Sequence, residues 1–469
     1  MNGLDVMMVV LYFAALIFVG VLGARKAKTS EDYIVAGRNL GLTMYLACLA
    51  AVILGGASTI GTAKLGYQFG LSGIWMVFML GLGISAIGVF LIRKMMALKV
   101  LTISEVLEKR FNSETRLISS LVAAIYTLMV TVTQVISMGT ILNVLLGWNL
   151  TLSMITGGGI VLFYTLLGGM WAITMTDIIQ FVIMTVGIFF IMLPMSLHKA
   201  GGWSTLLERL PPGYFDAGSI GMSTIFQYFL LFCLGMAVGQ DIWQRVFTAR
   251  TTKIARAGTI GAGVYSCFYA VAVCLIGMCA YVVLPHLKDP QTAFSSMALA
   301  TLPPGILGVV IASVISALMS TASGTMLASS TLIVNDILKR YMSPQMNEQH
   351  FLKISRLTTF AVGITTIVIS IWIQDVLTAL DVAYAVLSGA IFFPIILGFF
   401  WKRATAQAAF YSILLSTAVI LAGLAIKGVS STEPIVYGLL VSIIVMITVS
   451  LAGTSKKEPA ALKKSEPYY

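Results

Sequence analysis

Ala47-Cys48-Leu49-Ala50-Ala51-Val52-Ile53-Leu54-Gly55-Gly56-Ala57-Ser58 is an apolar run with two adjacent glycines near its end. It lies inside a longer block, 43–69, whose only charged residue is Lys64. A helix of roughly 20 apolar residues matches the hydrocarbon thickness of a bilayer. At that depth no water is present to satisfy backbone N–H and C=O groups, so such a block must be helical. Paired glycines in mid-membrane have two readings. They invite local unwinding, which frees carbonyls for a cation, or they let two helices approach closely. Spacing alone weights these equally.

The rest of the chain extends the first impression. The 469 residues are 58% hydrophobic and 10% charged, whereas soluble domains carry about 25% charged residues. An ordinary soluble enzyme is excluded. The apolar residues fall into about thirteen blocks of membrane-spanning length, giving an all-α integral membrane protein. They form a single transmembrane domain over 1–453. The tail, 454–469, is rich in Lys, Glu and Pro and is predicted to be a disordered, basic cytoplasmic segment. The connector at 198–221 holds Gly-Gly-Trp and Pro-Pro-Gly, which predicts a short surface helix.

The net charge of +11 would suggest nucleic acid on a soluble protein. Here Lys and Arg cluster in alternate short connectors: Arg25/Lys26/Lys28, Arg93/Lys94/Lys99/Lys109/Arg110, Arg245/Arg250/Lys253/Arg256, Lys339/Arg340/Lys353/Arg356 and Lys402/Arg403. The positive-inside rule then places the N-terminus outside and the C-terminus in the cytoplasm. The partners are the lipid bilayer and a small solute, not nucleic acid. The compact connectors suggest a bacterial inner (cell) membrane. The five cysteines lie in apolar blocks without a CxxC pair and read as buried thiols.

No GxxxxGK motif is present, so ATP supplies no visible engine and an ion gradient remains. In the ninth block Ser313, Ser316, Ser320 and Gly324 recur at helical spacing, beside Thr321, Ser323 and Thr325. Hydroxyls and carbonyls suit a hard cation, but small residues also suit close packing, which the residues alone slightly favour. Ionisable residues inside a membrane cost about 2.5–3.5 kcal/mol each and ask for a function. Lys64, Asp177, Asp241 and Asp381 are the candidates. Lys64 is expected to snorkel outward. Asp241 is expected to pair with Arg245 in a structural ion pair at the cytoplasmic end of its span. Asp381 is the least easily dismissed.

Several motifs now combine. Tyr164-Thr165-Leu166-Leu167-Gly168-Gly169-Met170-Trp171-Ala172 followed by Thr176-Asp177-Ile178-Ile179-Gln180 resembles the signature of the sodium:solute symporter family. So do Ser316-Ala317-Leu318-Met319-Ser320-Thr321 with Asn335-Asp336-Ile337, Gly37-Arg38, Gln244-Arg245, and Phe400-Trp401-Lys402-Arg403. The resemblance covers nearly the whole chain. It implies a LeuT-like 5+5 inverted repeat, with repeats at 43–195 and 222–401. It implies sodium-coupled uptake of a small organic solute by alternating access, without enzymatic chemistry.

The resemblance also implies a site. Sodium would be held by carbonyls of Ala51, Leu54 and Ala317 and hydroxyls of Ser320 and Thr321. Asp177, with Ser323, matches positions linked to a second sodium or to sodium release; Gly324 stands where some members have a further serine. Ser58, Gln134, Phe232 and Asp381 fall near substrate-contacting positions. Ile53 stands where the proline branch has an aspartate, and the glucose branch has glutamines near Ser58 and Asp381, so neither solute is favoured. Gly55-Gly56 and Gly61-Thr62-Ala63 faintly resemble the choline branch, and a carboxylate at Asp381 suits an amine-bearing solute. A proton-coupled carrier of the same fold, a channel and a membrane-embedded sensor are the alternatives.

Overall fold

The computed structural model of the chain describes residues 2–26, 28–166, 169–342, 345–428, 431 and 433–453. The tail 454–469 and the signature residues Leu167 and Gly168 lie outside the described residues. Among the described residues regular structure is helical, apart from one isolated bridge between Leu40 and Ala249. Ten helices among the described residues are long and apolar enough to cross a membrane, or eleven if the bent pair Met222–Met236 and Gln240–Val246 is one span. Leu42–Ile53 and Leu150–Leu166 are apolar but shorter. The expected count of about thirteen is thus not reached on length and apolarity. The block at 43–69 explains part of the difference, because it is a broken span whose first half stops at Ile53.

The core is apolar, and so is much of the surface, unlike that of a soluble protein. Large apolar side chains on peripheral helices face outward, as with Leu11, Phe163, Phe190 and Trp372, where lipid tails would meet them. The centre holds the polar helix Ile306–Thr331, in which only Ile306 and Val309 are not buried. It packs against Ser113–Leu146, Gly169–Thr185 and Gly3–Ala24. The hydroxyls of these central helices mostly bond backward to their own backbones. Ser316 donates to the Ala312 carbonyl, Thr325 to Thr321, Thr127 to Ala123, Thr133 to Met129 and Ser137 to Thr133. This satisfies each buried hydroxyl locally. Two bonds cross between Ser113–Leu146 and Ile306–Thr331, Thr131 with Thr325 at 2.8 Å and the Ser329 hydroxyl to the Ala124 carbonyl at 3.4 Å, and tie them side by side.

The two ends of the bundle are closed differently. At the basic end Arg116 reaches Glu105 at 3.2 Å, Glu108 at 2.5 Å and Asp336 at 2.6 Å. The Ile103 amide donates to Gln240 Oε1 at 2.8 Å, which ties in the second broken span. Leu40 and Ala249 bring the entry to the first broken span beside the exit from the second, through Leu40 N to the Thr248 carbonyl and Arg250 N to the Leu40 carbonyl.

At the opposite end Lys64 does not snorkel into solvent. Its ammonium meets Asp375 Oδ2 at 2.7 Å, joining the first broken span to the start of Val376–Phe400, where Asp375 also caps the Thr378 amide at 2.8 Å. Burial pushes the Asp375 carboxyl up, but Lys64 and the Thr378 amide outweigh it and hold it below the usual carboxylate value. A lowered folded-state pKa adds stability that is complete above the unfolded value of about 4 and is lost as pH falls through the folded value. The pair is partly exposed, so it is worth less than about 1 kcal/mol. Wild-type protein should melt slightly above Lys64→Met at neutral pH, and the gap should close below about pH 4. A gap unchanged down to about pH 2.5 would show that the carboxylate is not what Lys64 stabilises.

Candidate ion and solute site

The first break follows from its glycines. Leu42–Ile53 ends where Leu54 leaves helical space (φ −96°, ψ 57°), and helix resumes at Ala57 through a wide turn to Gly61. A methyl at Gly55 would lie 2.5 Å from both Gln134 Oε1 and Thr321 Oγ1, and one at Gly56 would collide with Ser137. The two readings of the glycine pair therefore both hold: the helix breaks, and neighbours crowd the break. Freed backbone groups must find partners. The Gly56 amide donates to Gln134 Oε1 at 2.5 Å, and the Ser58 hydroxyl donates to the Ile53 carbonyl at 2.9 Å.

Thr321 faces this break from the polar helix. Its hydroxyl donates to the Val52 carbonyl at 2.8 Å and stands 3.2 Å from the Ala317 carbonyl and 3.5 Å from that of Ala51. Leu54 lies one residue past the helix end, so its carbonyl is outside the regular ladder. Next along, the Ser320 hydroxyl donates to Asp177 Oδ1 at 2.5 Å, which leaves its lone pairs free to accept. The structure thus gathers neutral oxygens from both elements, the donor chemistry that a hard cation takes.

Arg245 corrects the expected ion pair. It is not at a solvated span end but fully buried. Its guanidinium pairs with Asp177 Oδ2 at 3.5 Å, donates from Nε to the Cys48 carbonyl at 3.2 Å, and touches only the backbone carbonyl of Asp241, at 3.5 Å. A side chain at Gly324 would run into that guanidinium, so glycine there makes room for Arg245. Ser323 donates to the Ser320 carbonyl at 3.2 Å.

A cavity of about 20 Å³ lies beside the break, room for roughly one water. Ser58, Gln134, Thr321, Tyr384 and Asp241 line it among apolar neighbours including Val52, Leu80 and Leu380. Phe232 and Asp381 do not line it. Phe232 is buried behind Tyr384, with ring centroids 5.2 Å apart. Asp381 is half-buried on Val376–Phe400, one residue beyond the lining Leu380, and within the fields of Lys64 and Asp375. Asp241, read from sequence as structural, is the acid at the cavity. Its position just after the second break, 237–239, was the available signal.

The profile of the sodium:solute symporter family matches residues 33–416, a span that takes in both breaks, the polar helix and the cavity. The chain belongs to the sodium:solute symporter family. Curated relatives of this symporter include a high-affinity proline transporter of Bacillus subtilis (strain 168), 28% identical over 431 residues, with 87% of this chain and 89% of the relative covered. A sodium/glucose cotransporter of Vibrio parahaemolyticus is 25% identical, covering 88% of this chain and 83% of the relative. A sodium/proline symporter of Staphylococcus aureus (strain JH9) is 26% identical, covering 98% and 94%.

Among solved structures, a Na+-coupled sialic acid symporter in a substrate-bound outward-open state superposes with a TM-score of 0.84 at 21% identity, covering 97% of this chain and 99% of that one. The nucleobase-cation-symport-1 family transporter Mhp1 gives 0.59 at 16%, covering 92% and 97%. These likenesses fix the LeuT-like fold. The symporter is a multi-span membrane transporter, not an enzyme, and it couples uptake of a small solute to sodium.

Proposed function

We propose that one sodium ion binds between the first break and the polar helix, held by carbonyls of Ala51, Leu54 and Ala317 and hydroxyls of Ser320 and Thr321. The convergence of Thr321 Oγ1 on carbonyls of both elements carries this reading. Sodium there pulls the broken span against the polar helix and shapes the adjoining cavity, where Ser58 and Gln134 meet an amine-bearing solute. The repeats are 43–195 and 222–401, and the N-terminus lies outside with the C-terminus in the cytoplasm. For release inward, the Arg116 cluster at the basic end opens. The positive charge that a second sodium would bring to Asp177 is already supplied by Arg245, so sodium activation is hyperbolic rather than sigmoidal. One charge crossing about 100 mV gains roughly 2.3 kcal/mol, and a tenfold sodium gradient adds about 1.4. Together they support a solute ratio of several hundredfold.

The test is the melting temperature of the purified protein in sodium against potassium chloride. A ligand confined to the native state stabilises by RT ln(1 + [L]/Kd), about 2.7 kcal/mol at a hundredfold excess over Kd. Sodium is expected to raise the melting point where potassium does not. Equal curves in both salts, with a dependence on pH instead, would assign the coupling to protons.

A further inference from the structure

The geometry points to Asp241 as the group that receives a positively charged ammonium centre of the solute. The inference rests on the symport reading of the cavity and goes further by naming the residue that anchors the solute's charged centre.

Asp241 is buried, 3% exposed, and opens onto the cavity. Its side chain takes a hydrogen bond from the Tyr126 hydroxyl at 3.1 Å, and no ion pair to it is found among the described residues. The cation nearest in sequence, Arg245, makes its ion pair with Asp177 and reaches Asp241 through its field and the backbone carbonyl, not through a side-chain contact. A buried carboxylate without a cation is expensive, and one inside a membrane calls for a partner. The cavity wall suits an ammonium group. Tyr384 lines the cavity, and Tyr126, which does not, meets Tyr384 edge to face, centroids 5.2 Å apart, with the two hydroxyls 3.2 Å apart. Aromatic rings add attraction for a desolvated cation. Much of the remaining lining, including Val52, Leu80 and Leu380, is apolar and is the wall that a hydrocarbon body would meet once this water-sized space widens to admit the solute. Proton donors that would favour a carboxylate-only or sugar solute are few here: the Gln134 amide nitrogen donates to the Val130 carbonyl at 3.3 Å and the Ser58 hydroxyl to the Ile53 carbonyl.

The experiment uses purified full-length protein in sodium chloride, with melting temperature read against L-proline, choline, ethanolamine and putrescine, and against glucose and sialic acid as solutes without an ammonium group. At least one ammonium-bearing probe is expected to protect the wild type. Asp241→Asn should weaken that protection at least tenfold while keeping the shift produced by sodium alone, and Asp241→Glu should retain part of it. Without any solute, Asp241→Asn should melt no lower than wild type, since it removes an unpaired buried charge. Protection confined to glucose or sialic acid, no protection by any ammonium probe, or full protection of Asp241→Asn overturns the inference. Absence of a sodium shift in the wild type would instead overturn the symport reading itself.

Discussion

Arg245→Ala is expected to cost about 3–5 kcal/mol of stability, the range seen when one partner of a buried ion pair is removed. Asp177 would then keep a buried charge whose remaining side-chain partners are hydroxyl and thiol groups, chiefly Ser320 at 2.5 Å. The variant should accumulate poorly and melt far below wild type. Arg245→Lys retains the charge but loses the fork that spans Asp177 and the Cys48 carbonyl, so it should fall between. The decisive comparison is Arg245→Ala with Asp177→Asn added. If charge burial is the cause, the second change should recover much of the loss, giving a coupling energy well above experimental scatter. Additive losses would show that Arg245 acts by filling space against Gly324, not by neutralising Asp177.

Thr321→Ala removes a proposed ligand and the bond to the Val52 carbonyl. The lost hydrogen bond alone costs about 1 kcal/mol, so the protein should still fold. Changes even one step outside a metal's ligands lower affinity about ten- to a hundredfold, and a ligand should cost at least as much. The sodium concentration for half-maximal uptake should therefore rise at least about tenfold, and Thr321→Ser, which keeps the hydroxyl, should stay near wild type. Unchanged sodium activation in Thr321→Ala would move the ion elsewhere.

Sequence and structure part company along a physical line. The helix break was legible because Gly55 and Gly56 act on their own backbone. The polar helix was legible because Ser313, Ser316 and Ser320 repeat with the helical period. The all-α membrane class followed from the length of the apolar blocks, and the LeuT-like fold from the resemblance that the motifs carry to a known family. What sequence could not supply was which charges meet. Lys64 lies 311 positions from Asp375, and a lone lysine near a span end reads as a snorkelling side chain until its neighbour is known. Arg245 and Asp241, four residues apart on one helix, suggested each other, yet the guanidinium turns to Asp177 on a different span. Asp381 attracted attention as an acid in an apolar block, but the helical phase that puts Leu380 and Tyr384 at the cavity turns Asp381 away.

The backward-bonded hydroxyls between Ser113–Leu146 and Ile306–Thr331 bear on how fast such a molecule can work. Polar groups that bond across an interface act as detents, because each must be broken before the surfaces shift. Here the serines and threonines carry their acceptors with them. The two helices present contact faces rich in hydroxyls with few bonds across them, held in register by Thr131 with Thr325 and by Ser329 with the Ala124 carbonyl, while Thr321 ties the second helix to the broken span. Sliding then breaks few bonds while the rest position stays defined, and the latch between the second helix and the broken span, Thr321, is the one proposed to be in contact with the ion.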